Sequence, residues 1–222
     1  MINAARFARL ELASARVNAR QMVILAVLIA MMSWISGNQE PLAFAAVVPL
    51  LPLFFVTYPF LADERGRHDL LYATLPIRRH TVVWGRHLYF LVMEFAALVG
   101  ALAIARAFAV TTGRPLEPGL AVLLAVAATT AASLVLTVQL PVLFAVGFTK
   151  SRWIVVLPLI ICLTPMVLAQ IPGVGVRLAD LWPGALTPTW SLAVGVGLTA
   201  VIIALWTTSA LISVRLYAKR QF

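Results

Sequence analysis

A chain of 222 residues could form one soluble domain, but this one is 62% apolar and only 11% charged, against roughly 45–50% and ~25% in soluble domains. So few charges cannot cover so much apolar surface in water, which leaves a lipid bilayer as the solvent and room for about five to seven spans of ~20 residues. The net charge of +9 does not point to nucleic acid, because the basic residues fall between apolar runs and build no continuous face.

The first twenty residues predict an amphipathic helix. Arg6, Arg9, Arg16 and Arg20 fall within about 80° of one another on a helical wheel, with Glu11 on the far side and Phe7, Leu10 and Val17 along one flank. Such a helix lies in the interface, its basic face against anionic lipid. Six apolar runs follow, at Met22–Ser36, Leu42–Ala62, Trp84–Val110, Gly119–Val146, Trp153–Ile171 and Thr189–Tyr217. The first is short for a span and could be the core of a signal peptide. The twenty residues before it make an overlong basic leader, so an uncleaved span lengthened by the snorkelling Arg20 is expected. No run alternates with a period of two, so the expected fold is all-α, with six transmembrane helices in a single domain spanning 1–222.

Orientation follows from charge. Of seventeen Lys and Arg residues, all but Arg106, Arg114 and Arg177 fall on one side of this topology. That side is expected to be cytoplasmic, with both termini on it, as in a multi-pass protein of a bacterial plasma membrane. Trp34, Trp84, Trp153, Trp182 and Trp190 stand near predicted span ends, where an indole prefers to lie, and Trp206 sits deeper. The outer loops are short except 172–188. The single cysteine, Cys162, lies in an apolar run and suits packing, not a disulfide or a metal site.

The largest inner loop, 63–80, carries the most information. It reads Asp63-Glu64-Arg65-Gly66-Arg67-His68-Asp69-Leu70-Leu71-Tyr72-Ala73-Thr74-Leu75-Pro76-Ile77-Arg78-Arg79-His80. Asp63 can cap a short helix that Pro76 ends, with Leu70, Leu71 and Leu75 as an apolar patch among charges. On the residues alone this is a short helix lying along the membrane, which can anchor the loop or dock a partner.

The stretch from Tyr58 to Leu88 resembles the signature region of ABC-2 type permeases. The acidic pair Asp63-Glu64, Gly66, Asp69, Leu70-Leu71, Leu75-Pro76, the basic Arg78-Arg79, and Val82 through Gly85-Arg86 fall in the order of that family's pattern, with Arg86 where the family usually has lysine. The tail from Ser213 to Phe222 is similar to the family's basic tail. The resemblance implies a coupling helix between spans two and three that contacts a cytoplasmic ATPase through Asp63, Glu64, Arg65, Gly66, Arg67, Asp69, Leu70, Leu71, Leu75 and Pro76. Charged rims set partner choice around a buried apolar centre. It also likens the N-terminal helix to the family's membrane-parallel connecting helix, the plain alternative being a topology anchor.

No phosphate-binding loop is present in the sequence: Gly147-Phe-Thr-Lys-Ser151 lacks the glycines such a loop needs and reads as a short basic inner loop. Neither a metal-spaced cluster nor a nucleophile elbow occurs, and His68, His80 and His87 read as solvated or touching headgroups. The resemblance therefore implies a transport subunit that binds no cofactor and makes no catalysis of its own. ATP and Mg would sit on two copies of a partner ATPase, and a second permease copy or a sister permease would complete the complex.

Glu94 is the acidic residue inside a predicted span. A carboxylate in lipid costs roughly 2.5–3.5 kcal/mol on the insertion scale, so it should face protein or water. It can line or gate a translocation path, or hydrogen-bond a neighbouring helix. Thr130, Ser133 and Thr137 share a face of the fourth span and can pack helices closely or touch substrate. Prolines in the second, fourth and fifth spans free carbonyls and can act as hinges. The expected function is an ATP-driven exporter permease moving an amphipathic peptide, drug or lipid-like substrate outward. The rivals are a membrane scaffold whose inner loop docks another protein, an ion-coupled carrier that uses Glu94, and, third, a membrane enzyme.

Overall fold

In the computed structural model the described residues are 4–13, 24, 41–66, 79–151, 153, 156, 160 and 188–219. Residues 4–13 are helical and form α1. The second apolar run, expected as one helix over Leu42–Ala62, is a relay of short segments. These are α2 (Pro41–Val47), a 3-10 turn over Val48–Leu50, α3 (Pro52–Phe55) and α4 (Tyr58–Gly66). Proline is the reason: Pro49 and Pro52 each begin a new segment within its first two positions, where a missing N–H breaks no bond of that segment but ends the one before it. Together the segments still cover 26 residues, long and apolar enough to cross a membrane.

Three longer helices follow, α5 (Arg79–Thr112), α6 (Pro118–Val146) and α7 (Pro188–Lys219). They start one to five residues before their predicted starts and end no more than two residues beyond their predicted ends. At 1.5 Å per residue the 34 residues of α5 extend about 51 Å, well beyond a hydrocarbon core of ~30 Å. Pro118 opens α6, and Gly147 closes it at φ 82°, its N–H donating to the Leu143 carbonyl. That left-handed backbone suits glycine at a helix C-terminus. Pro141 lies inside α6 and removes the N–H that would reach the Thr137 carbonyl. Among the described residues no strand occurs, and four helices are suited by length and composition to span a bilayer. The predicted first and fifth spans, Cys162 and the loop 172–188 lie wholly or largely outside the described residues.

α5 and α6 run antiparallel, and α7 packs parallel to α6. The α2–α4 relay lies along both α5 and α6, with Phe44 against Phe108 at one end (ring centroids 4.8 Å) and Phe60 beneath Arg86 at the other. The two ends are built differently. At the Phe44 end the helices meet through Ala101, Ala105 and Ala109 of α5 and Ala121, Ala125 and Thr129 of α6, all buried and each set spaced by four. Small side chains at this spacing let backbones approach closely, the usual way helices pack where lipid removes the hydrophobic drive.

At the opposite end, which carries Arg65, Arg79, Arg86, Lys150, Arg215 and Lys219, the core is aromatic. Phe144 meets Phe60 edge-on at 5.0 Å and Tyr217 at 5.5 Å, and His87 stacks on it at 5.9 Å. The outward faces are apolar: Leu88, Leu91, Val92, Phe95 and Val99 recur at helical spacing along exposed α5.

Candidate functional site

The polar side chains gather inside the basic end of the bundle, and Arg86 is their centre. It lies on α5 one turn after Val82 and one before Phe90, a stripe in which all three are at most 2% exposed. Its Nε donates to Glu11 Oε1 at 3.1 Å, and its Nη2 pairs with Asp63 Oδ2 at 2.5 Å. The guanidinium lies 4.6 Å from the Phe60 ring centroid and 5.9 Å from that of Phe144. One cation thus joins α1, the last turn of α4 and α5, with aromatic faces filling the remaining sides.

Asp63 is inside α4 and does not cap a new helix: the helix of the second run carries on through the acidic pair to Gly66. Its side chain is buried against Arg86. Glu64, half-buried, reaches the other way. Its carboxylate accepts the Phe148 N–H at 2.6 Å, the Thr149 N–H at 3.1 Å and the Thr149 hydroxyl at 2.5 Å. Residues 148–151, read from sequence as a plain basic loop, form one helical turn, and Glu64 satisfies the free N–H groups at its start. Asp63, Glu64, Arg86, Phe60, Phe144, Gly147 and Tyr217 border a small cleft there.

α1 is fixed by more than charge. Phe7 is buried and packs onto Gly85, where an added Cβ would lie 2.6 Å from Phe7 Cδ1 and 3.0 Å from its Cβ. Glycine at 85 is what allows the ring to seat. Arg6 and Arg9 are exposed, as are Leu10 and Leu12. At the start of α5, Arg79 donates through Nη1 to the carbonyls of Tyr217 (3.5 Å) and Ala218 (3.1 Å). A cation there answers the free carbonyls and the negative dipole end of α7.

A second polar layer lies deeper. His87 is buried, not solvated or at the headgroups as its place beside the loop had led one to expect. Its Nδ1 lies 2.9 Å from the Val83 carbonyl and its Nε2 3.3 Å from Ser209 Oγ on α7, while Trp206 meets its ring edge-on. Two turns on, Glu94 Oε2 accepts from Ser133 Oγ of α6 at 2.6 Å, and Trp206 Nε1 of α7 donates to the same Ser133 Oγ at 3.3 Å. Oε1 of Glu94 is buried with no hydrogen-bond partner among the described residues. Glu94 therefore faces protein and joins three helices.

The structure brings Glu94 and Ser133 together. It leaves Thr130 and Thr137 bonded to their own helix, to the Val126 carbonyl at 2.8 Å and the Leu134 carbonyl at 3.0 Å. Arg65 and Gly66 are exposed. Arg67, Asp69, Leu70, Leu71, Leu75 and Pro76, with Arg16 and Arg20, lie outside the described residues. Among the described residues no group of three or more His, Cys, Asp or Glu is placed to hold a metal.

Sequence reasoning passed over Ser209, placed His87 in solvent or at headgroups, noted of Trp206 only its depth, and assigned Arg86 no contact. A signal was present: Val82, Arg86, Phe90 and Glu94 recur every four residues, while Leu88, Leu91, Phe95 and Val99 mark the opposite, lipid side.

No curated protein and no solved structure matches the chain. A family model described as an ABC-2 family transporter protein matches residues 11–218, which takes in α2 to α6 whole, all but the last residue of α7 and, at its first position, the Glu11 that pairs with Arg86. The chain belongs to the ABC-2 transporter family.

Proposed function

We propose that this chain is the membrane permease subunit of an ATP-driven exporter, that its basic end faces the cytoplasm, and that loop 63–80 receives the motion of a partner ATPase. The observation that carries this reading is how the loop is held. On one side Asp63 and Glu64 are fixed to Arg86 and to the 148–151 turn; on the other, Arg79 is fixed to the end of α7. A segment with both ends built into the helix bundle passes displacement to all of its helices, which a loosely tethered anchor would not do.

The wider reading follows from the family. The partner is a cytoplasmic ATPase in two copies carrying ATP and Mg, and a second permease copy or a sister permease completes the path. The membrane is a bacterial plasma membrane crossed by six helices with both termini inside. The substrate is an amphipathic peptide, drug or lipid-like molecule moved outward. Asp63 and Glu64 support the docking surface from within, and Arg65, Gly66, Arg67, Asp69, Leu70, Leu71, Leu75 and Pro76 present it. Arg6, Arg9, Arg16 and Arg20 hold the N-terminal helix at the lipid surface.

The test is purification of the tagged chain from its host in mild detergent, with and without Leu70→Asp and Leu71→Asp together. A Walker-motif ATPase is expected with the parent chain and absent from the double variant. Recovery of the chain without any ATPase, even after cross-linking, would leave a membrane scaffold as the better account. A carrier driven by ions has one observation in its favour, the buried Glu94 Oε1 without a hydrogen-bond partner among the described residues. That reading requires transport to follow a pH gradient without ATP and to vanish in Glu94→Gln.

A further inference from the structure

The geometry around Arg86 shows what an arginine, and not a lysine, supplies at this position. Two nitrogens of the guanidinium face two carboxylates: Nε donates to Glu11, and Nη2 forms an ion pair with Asp63. The two carboxylates come from segments more than fifty residues apart in sequence, the N-terminal helix and the end of α4. Both are shielded from water, with side chains 12% and 8% exposed against 3% for Arg86. Lysine offers a compact point charge on a flexible stem and cannot set a rigid planar cation, with Nε and Nη2 in fixed relation, against two carboxylates. The cation also lies within 4.6 Å of the Phe60 ring centroid and 5.9 Å of that of Phe144. Next to it, Gly85 receives Phe7, so the N-terminal helix is held by one ionic and one packing contact on adjacent residues of α5.

We propose that Arg86 is a positioning residue that binds the N-terminal helix and the start of the inner loop into one unit on α5, so that displacement of the loop carries the N-terminal helix with it. The unit is specified by arginine: lysine preserves the charge and loses the linkage. Buried ion pairs add little net stability, since desolvation offsets the attraction, but they fix which segments lie together. For a subunit that must move, keeping two surface segments in step is a purpose that such a contact suits. The proposal rests on the permease reading above only for the source of the displacement.

The test uses the full chain in its native membranes, with Cys162 replaced by serine and cysteines introduced in pairs. Phe7→Cys with Gly85→Cys removes the ring that a side chain at 85 would strike, so the pair reports the seat of the N-terminal helix as the ionic contact alone holds it, the two positions being close enough for a disulfide. Phe44→Cys with Phe108→Cys, at the far end of the bundle, reports whether the fold is intact. In Arg86→Lys and in Glu11→Gln the first pair is expected to cross-link about tenfold more slowly, as expected for losing one buried charge-assisted bond, and the second pair at the parent rate. Equal rates for the first pair in all chains would overturn the proposal. So would loss of both pairs together, which would make Arg86 a support of the whole bundle.

The movement is read by adding MgATP and vanadate to membranes that hold the co-purifying ATPase. The rate at the first pair is expected to change with nucleotide in the parent and to be unresponsive in Arg86→Lys, although the ATPase is still recovered with that variant. A nucleotide response of equal size in both would overturn the linkage. Absence of any ATPase from the parent chain would refute the permease reading instead, and the cross-linking rates without nucleotide would still decide whether Arg86 positions the helix.

Discussion

At the scale of single residues, α5 turns Arg86, His87 and Glu94 inward while Leu88, Leu91, Phe95 and Val99 face outward, because lipid is the medium on the outside. Glu94 shows the consequence. It cannot be left in hydrocarbon, and it is bonded to Ser133, which Trp206 also reaches. Glu94→Gln keeps an acceptor for Ser133 and should change thermal stability in detergent little, by less than ~1 kcal/mol. Glu94→Ala leaves the Ser133 hydroxyl without its acceptor and should cost ~1–3 kcal/mol. A melting curve for each variant, followed by tryptophan fluorescence, separates the two, and Trp206 provides a probe at the site. Gly85→Ala is the other sharp case. The new methyl would lie 2.6 Å from Phe7 Cδ1 and against its Cβ, so α1 should lift from α5. The measurement is proteolysis at the exposed arginines Arg6 and Arg9, expected to be faster than in the parent chain, while the bundle itself survives digestion.

At the scale of elements, most of the helices were legible and their breaks were not. Runs of apolar residues gave α5, α6 and α7 to within a few residues, because length and hydropathy are what a bilayer demands of a span. The relay α2–α4 was read as one helix because its composition is uniform; only the positions of Pro49 and Pro52 mark where backbone bonds stop, and membrane helices often tolerate proline without breaking. The site was half legible. Asp63 and Glu64 could be named from their order in the loop, yet their partners, Arg86 and the 148–151 turn, lie far away in sequence and depend on how the helices are arranged. His87 was misread because nearness to a loop says less than position on a helix face. Pro141 offers a test at this scale. Pro141→Ala restores an N–H for the Thr137 carbonyl inside α6, so the melting temperature should rise, by the equivalent of ~1 kcal/mol or more. If Pro141 serves as a hinge, ATP turnover in the complex should fall at the same time, and an assay of both on one preparation shows whether they diverge.

For the whole molecule, the contrast between the two ends matters most. The Phe44 end is joined by alanines with side chains too small to interlock, and the basic end by rings, an arginine and three carboxylates. Substitutions should therefore act differently by end. Ala105→Leu forces apart helices that meet at a fully buried position and should destabilise by ~1–3 kcal/mol through overpacking. That loss should be insensitive to salt, as a thermal scan in low and high salt would show. The charged contacts of the basic end lie mostly away from water and so should feel salt only at their exposed members, such as Arg79.

The Arg86 linkage also constrains how this sequence can change over time. Three residues from three segments share one buried site, and any one of them alone is costly to lose: an arginine without its acids, or an acid without its arginine, leaves a charge stranded away from water. Drift at positions 11, 63 and 86 should therefore be correlated. Homologues that keep arginine at 86 should keep both acids, and those with a smaller or neutral residue there should have given up at least one. The N-terminal helix and the inner loop, so different in composition, are expected to have evolved as a pair.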